Sequence, residues 1–294
     1  MWKTNLIQLY CAVCEHNSTI ENLAQRLSNN FRPKFTDAEC ITVYLWGLSR
    51  SLFQQKAIWQ YTKDHLSEWF PDLPSYQAFN RRLNFLAPVL TCLSESWMDM
   101  VSAAAEDEGD YAVDSCHVML AVRSRSSNAK VAPEICSKSY NSTRKEWYYG
   151  VKLHAFVAKH DGKLPTPCAL ISSTASAHDL PVAKQIMESC KPFSGGTLYA
   201  DKAYCDAMWE KELASKYSVI LRTPKKKKHG EMAQHRDTYS SWISSARQPV
   251  ESFFSWLDAK TNIQSASKVR SLSGLLTHIF GRIAVAMYGI LFNP

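Results

Sequence analysis

The pattern of apolar and polar positions changes once along the chain, near residue 104. Before that point, apolar residues such as Leu6, Leu9 and Val13 recur at three- and four-residue spacing, the period of an amphipathic helix. After it, alternating and continuous apolar runs of strand length begin with residues 111–122. The pattern therefore predicts an all-helical region over 1–103, followed by an α/β region over 104–294.

Local signals divide the helical region. Thr36 and the glutamate three residues later have the spacing of a capping box, and Ser75 is placed to cap the predicted helix Tyr76–Phe85. That helix carries Arg81 and Arg82, which fit either a DNA recognition helix or a solvated basic face. The predicted helices after the first apolar stretches are Cys40–Leu48, Ile58–Phe70 and Tyr76–Phe85.

The pattern of the second region predicts three antiparallel strands that lead into alternating helices and strands. This order indicates a mixed sheet with helices against it. Its predicted strands are 111–122, 147–159, 168–173, 195–200 and 219–221, and its helices are 178–190, 208–217 and 248–260. The closing apolar run 271–292 carries His278 and Arg282 near its centre, so a buried core helix is expected there rather than a membrane span.

Composition narrows the class of protein. The 294 residues are 46% hydrophobic and 12% aromatic, which excludes a disordered or fibrous chain. A net charge of +7 favours a polyanionic partner. Nine cysteines, several of them in apolar runs, favour a reducing cytoplasm. The Cys11-x-x-Cys14 pair fits either a zinc site or a plain helix face.

Three acidic residues occupy positions at which a fully solvent-exposed acidic side chain is not expected. Asp114 interrupts an apolar strand, Asp201 follows a short strand, and Glu251 borders the apolar stripe of the helix 248–260. Carboxylates that converge need cations, and oxygen-only sites select Mg²⁺ or Mn²⁺. Two such ions can hold the attacking and leaving oxygens of a phosphodiester in line. Each residue alone also fits a solvated or capping carboxylate.

Basic residues accompany these carboxylates. Lys202 and Arg247 lie beside Asp201 and Glu251 in the sequence and are candidate DNA contacts. Residues 222–236 form the strongest basic run, which either neutralises phosphates or is a solvated charged loop. The basic residues of this run are Arg222, Lys225, Lys226, Lys227, Lys228 and Arg236.

Two histidine-containing pairs have competing interpretations. Lys152 and His154 alternate with apolar neighbours and so share one strand face, where they could contact DNA or form structural hydrogen bonds. His178 and Asp179 precede a predicted helix, and an N-cap pair is the preferred interpretation.

Several segments resemble the DDE transposases of bacterial insertion sequences, whose catalytic domain has the ribonuclease H-like fold. At Ser244 and Asp258, many relatives carry a tyrosine and a lysine, so the DNA contacts of those two positions are not carried over. The segments that carry the resemblance are Tyr111–Ser115, Leu198–Tyr204, Arg247–Leu257, Trp147–His154, Ala177–Asp179 and Pro74–Leu83.

The resemblance implies that Asp114, Asp201 and Glu251 form a catalytic triad that binds two Mg²⁺ or Mn²⁺ ions. It implies a bacterial cytoplasmic, nucleoid-associated enzyme that cleaves DNA at element ends and transfers the strands into target DNA. The expected partners are double-stranded terminal repeats, target DNA and a second copy of the chain. Residues 1–103 would bind DNA ends or dimerise, and 104–294 would form the ribonuclease H-like catalytic domain. A ribonuclease H-like nuclease without strand transfer and a non-catalytic DNA-binding descendant remain alternatives.

Overall fold

The computed structural model describes residues 2–25, 33–105, 108–142, 144–225 and 238–292. The order of elements is helical up to residue 104 and mixed thereafter, as the pattern predicts. The helices of the first part are α1 (Trp2–Cys14), α2 (Asn17–Leu23), α3 (Asp37–Ser49), α4 (Gln55–His65), α5 (Tyr76–Phe85) and α6 (Ala87–Ala104). The elements that follow are β1 (Asp110–Val122), β2 (Ser137–Asn141), β3 (Glu146–Ala158), β4 (Thr166–Thr174), α7 (Asp179–Ser189), β5 (Thr197–Tyr199), α8 (Ala207–Tyr217), β6 (Ile220–Arg222), α9 (Thr238–Ala246), α10 (Gln248–Thr261) and α11 (Leu272–Phe292).

The chain divides into two compact units. Within the described residues, the first unit draws on 1–100, 130–134 and 257–294, and the second on 101–129 and 135–256. The C-terminal helix thus belongs with the N-terminal helices, which the periodicity of the sequence does not indicate. The assignment of separate functions to 1–103 and 104–294 stays a prediction.

The helical unit is built around α3, which is buried at Ala38 and at every position from Cys40 to Leu48. The predicted capping box is confirmed: Thr36 accepts a hydrogen bond from the backbone of Glu39, whose carboxylate accepts one from the backbone of Thr36. The helix begins at Asp37, three residues before the predicted start, because the capped turn is itself helical. Ser75 caps α5 as predicted, through a 3.4 Å bond from the backbone of Ala78.

Helix α11 is, among the described residues, the one helix with the length and apolarity to cross a membrane. Its most apolar window is 67% buried, and His278 and Arg282 are hydrogen-bonded within the helical unit. His278 Nε2 lies 2.8 Å from the carbonyl of Ile263, and Arg282 Nε donates to the carbonyl of Thr261 at 2.9 Å. These contacts are those of a core helix, as predicted.

The second unit contains a six-stranded mixed sheet in the order β2-β3-β1-β5-β6, with β4 also paired to β3. Strand β3 runs antiparallel to β1, β2 and β4, whereas β5 is parallel to β1 and β6 is parallel to β5. Helices α7 and α8 cover one face of this sheet through a cluster that includes Tyr111, Phe156, Ile186, Trp209 and Leu213. This arrangement is the predicted mixed α/β fold with helices against the sheet, and it is compatible with a ribonuclease H-like fold.

Two elements, β2 and α9, are not predicted by the sequence patterns. Strand β2 has the sequence Ser-Lys-Ser-Tyr-Asn, which lacks an apolar face, and it forms because β3 offers unpaired backbone groups at Glu146–Gly150. Helix α9 (Thr238–Ala246) follows the basic run 222–236, in a stretch for which the sequence patterns predicted no helix. Its single buried residue, Ile243, is too weak a signal of helical period.

Candidate active site

Asp114 lies in the middle of β1, as the apolar run predicts, and its side chain is one-quarter exposed. Its Oδ1 accepts a hydrogen bond from the backbone of Ser115 at 2.8 Å, and its Oδ2 lies 2.5 Å from Nη1 of Arg247. Burial raises the pKa of Asp114 from 3.8 to about 6, whereas the Arg247 guanidinium acts in the opposite direction. The carboxylate is therefore a mostly buried charge with one cationic partner.

Arg247 joins two of the three predicted carboxylates. It directly precedes α10, and its Nη2 donates to Oε1 of Glu251 at 2.7 Å, one helical turn along. Glu251 lies at the exposed edge of α10, whose opposite side buries Val250 and Phe253. Because both contacts use one guanidinium, Asp114 and Glu251 face the same small region.

Asp201 follows β5, which lies beside β1 and runs parallel to it. Ala112 of β1 is the parallel partner of Tyr199, so Asp201, two residues later, is level with Asp114. Its Oδ1 accepts a bond from the backbone of Ala203 at 2.7 Å, which caps a short 3-10 turn. The charge of Asp201 contributes to the raised pKa of Asp114, as expected for neighbouring carboxylates.

The donor chemistry of this group fits a divalent hard metal. All three side chains offer carboxylate oxygens, and two of them already hold one cationic group between them. As the side chains stand, no three histidine, cysteine or acidic side chains of the described ranges lie close enough to bind one ion. A metal bound by Asp114 and Glu251 would therefore displace Arg247 from at least one of them.

Asp179 organises a second polar group on the other face of β1, and sequence analysis assigned it differently. The residue at the cap of α7 is His178, whose side chain makes no capping bond, so the preferred capping interpretation is wrong. Asp179 Oδ1 instead accepts from Lys152 Nζ and from Ser115 Oγ, at 3.0 Å each. Lys152 also donates to the carbonyl of Ala177 at 2.9 Å. The spacing of Ser115 from Asp179 along the chain gives no local signal of this contact.

Lys152 and His154 share a strand face, as predicted, because they pair with His117 and Ser115 of β1. His154 is 1% exposed, its Nε2 lies 2.7 Å from Ser173 Oγ, and burial lowers its pKa to about 4. Both residues are engaged within the unit, and a direct DNA contact by either stays a prediction.

The other predicted DNA contacts fall into three groups. Lys202, Arg222 and Lys225 are exposed, and Lys225 Nζ lies 6.0 Å from the ring centre of Tyr239. In the helical unit Arg81 is exposed, whereas Arg82 donates through Nε to Asp37 at 2.7 Å and through Nη2 to the carbonyl of Ala24. The predicted contacts that lie outside the described residues are Lys226, Lys227 and Lys228, together with Arg236 of the same basic run.

Tyr204 is a residue of this site to which sequence analysis gave no role. It is 1% exposed, and its hydroxyl makes no hydrogen bond within the part of the chain that the structure describes. Burial and the nearby charges of Asp114, Asp179 and Asp201 raise its pKa well above 10. The phenol is therefore uncharged and lies beside the carboxylates.

Comparison with known families gives one match. A family described as the transposase DDE domain matches residues 121–288, more than half of the chain. The matched range contains Asp201 and Glu251 and begins seven residues after Asp114. No curated protein and no solved structure gives a match. The chain therefore belongs to the transposase DDE domain family.

Proposed function

We propose that this protein is a DNA transposase of a bacterial insertion sequence. It cleaves DNA strands at the ends of the element and transfers them into target DNA by in-line phosphodiester attack. Family membership supports transposition activity in general. The specific proposal rests on one observation: Asp114 and Glu251 both accept hydrogen bonds from the guanidinium of Arg247. Asp201 is level with Asp114, just beyond the neighbouring strand.

Asp114, Asp201 and Glu251 would hold the two divalent ions. When bound, Mg²⁺ or Mn²⁺ ions activate the attacking oxygen and stabilise the charge on the leaving 3′ oxygen. Asp114 is largely ionised at pH 7 because its pKa is raised only to about 6. Arg247 balances the charges of Asp114 and Glu251, and once displaced it becomes a donor for a DNA phosphate beside them.

Exposed basic residues near the carboxylates favour a polyanionic ligand. Exposed Lys202 adjoins Asp201, and exposed Arg222 and Lys225 follow at the end of β6. These residues would bind phosphates on either side of the scissile bond, and the net charge of +7 would draw DNA to the protein. Two element ends must be joined, so we expect a homodimer in the active complex. The place of action would be the cytoplasm, on the nucleoid.

Replacement of Asp201 by Asn tests the assignment. The carboxamide has nearly the same shape but no charge to bind a metal, so we expect strand cleavage to fall by at least about 10³-fold, with DNA affinity within about threefold of wild type. Cleavage of labelled element ends in Mg²⁺ and binding in EDTA measure the two effects. Asp161→Asn, at an exposed position, is the matched control and should leave both unchanged. Undiminished cleavage by Asp201→Asn would refute the proposed triad.

A strand-joining assay separates transposition from the nuclease alternative. A transposase joins a pre-cleaved 3′-hydroxyl end to a second duplex, whereas a nuclease of the same fold yields only hydrolysis products. Binding of DNA without any metal-dependent product would instead favour a non-catalytic descendant.

A further inference from the structure

Two aromatic side chains project from the β2–β3 pair into solvent. Tyr140 and Trp147 are direct cross-strand partners, and they are 47% and 51% exposed. Their ring centres are 5.4 Å apart at an interplanar angle of 61°. Adjacent large aromatic side chains left in water are a recurring feature of binding surfaces.

A basic side chain lies over one of these rings. Lys138 Nζ lies 5.0 Å from the centre of the Trp147 ring, and the side chain of Arg123 is 82% exposed. The acidic neighbour, Glu146, is already paired with Arg123 at 3.2 Å. We call Lys138, Tyr140 and Trp147 the aromatic–basic surface. Its charge is complementary to phosphate, and its rings are suited to stacking.

The aromatic–basic surface lies on the same sheet face as Asp114. Ala155 pairs with Asp114, and side chains alternate along β3, so Trp147, eight residues away, points to that same side. At about 3.3 Å per residue the separation along the strand is roughly 26 Å. Trp147 is therefore too distant to contact the scissile phosphate, but it can contact the same DNA molecule.

We propose that the aromatic–basic surface binds unpaired bases of the DNA strand that flanks the cleavage site. Trp147 and Tyr140 stack on bases, while Lys138 contacts an adjoining phosphate. Unpaired bases fit better than a blunt duplex, because bases within a duplex already stack on one another and do not present their faces. This inference rests on the proposed function only in taking DNA as the partner.

Binding measurements on the full-length protein test the inference. Affinity for a short single strand and for the same sequence as a blunt duplex would be measured in EDTA, so that no cleavage occurs. Trp147→Ala should weaken single-strand binding by about 5- to 100-fold, the usual effect of one stacked base, and should change duplex binding much less. Trp147→Phe keeps an aromatic face and should retain most of the affinity. Met208→Ala, at an 81% exposed apolar residue of α8 outside this surface, is the control and should match wild type.

Three results would overturn the inference. The first is unchanged single-strand affinity of Trp147→Ala, with thermal unfolding confirming that the variant is folded. The second is an equal loss on single strand and duplex, which would indicate a general backbone contact. The third is a change of oligomeric state at unchanged DNA affinity, which would make the surface a protein interface. None of these depends on cleavage, so normal cleavage alongside any of them would leave the proposed function intact. Conversely, cleavage by Asp201→Asn would leave the stacking result standing.

Discussion

Asp179 accepts hydrogen bonds from Lys152 and Ser115 through a single oxygen, and His154 Nδ1 lies 3.9 Å from that same oxygen. The carboxylate and the ammonium are both mostly buried, with 23% and 14% of their side chains exposed. Charge-assisted bonds in such a setting hold side chains more firmly than surface ion pairs do. Asp179 thereby fixes the residue next to Asp114.

Asp179→Asn should lower the free energy of unfolding by about 1–3 kcal/mol, because the Lys152 ammonium loses its counter-charge while it remains mostly buried. Lys152→Met should restore part of this loss in the double variant, since the unpaired charge is then gone. Urea unfolding of the two single variants and the double variant gives the coupling energy, expected at about 0.5–3 kcal/mol. Strictly additive effects would show that the ion pair does not contribute as argued.

At the scale of elements, strand pairing and helix packing decide positions that single residues do not. Gly150 of β3 allows close approach to β1, because an added Cβ would lie 2.1 Å from the carbonyl oxygen of Val118. This contact lets the long β1–β3 ladder, which carries Asp114, continue past the irregularity between Met119 and Ala121. Helix α11 is instead held in place by a buried cation, the guanidinium of Arg282.

Arg282 of α11 donates to three separate parts of the helical unit: the carbonyls of Thr261 and Phe53, and the hydroxyl of Tyr44. Arg282→Met keeps the length of the side chain but leaves these buried acceptors unpaired, so we expect a loss of about 3–5 kcal/mol in unfolding free energy. Thermal and urea unfolding measure it. Arg270→Met, at an exposed position before α11, should change stability by less than about 0.5 kcal/mol. Equal effects of the two variants would contradict this account of α11.

At the scale of the whole molecule, three histidines have pKa values lowered by burial and so affect the response to acid. Burial lowers the pKa of His154 to about 4, and it also lowers the pKa values of His117 and His278 from 6.5. Between about pH 6.5 and 4 the unfolded chain therefore binds protons that the folded chain excludes, and stability falls as the pH falls. The raised pKa of Asp114 acts in the opposite direction over about pH 6 to 4, with a single proton.

We expect the free energy of unfolding to decrease from pH 7 to pH 5, by at most about 1.4 kcal/mol per pH unit for each buried histidine. His154→Gln should make this pH dependence shallower by up to one proton, whatever its effect at pH 7. His65→Gln, at an exposed histidine, should leave the slope unchanged. Urea unfolding at several pH values measures the slopes, and identical slopes for wild type and His154→Gln would contradict the assignment.

The sequence by itself determined the features that depend on neighbours along the chain. The helical period, the Thr36 capping box and the apolar strand around Asp114 are local signals, and each has its predicted structure. The three candidate carboxylates also followed from local context, as a charge inside a strand, one after a strand and one at a helix edge. Their assignment as metal ligands stays a prediction.

Only the tertiary structure decided contacts between distant residues. Arg247 reaches Asp114 across 133 positions, and Asp179, the first residue of α7, pairs with Lys152, 27 positions away. Strand β2 forms although its own residues do not favour it, because β3 supplies its hydrogen-bonding partners. Each case depends on groups that are far apart in the sequence and that only folding brings together, so the local pattern around either partner does not identify the other.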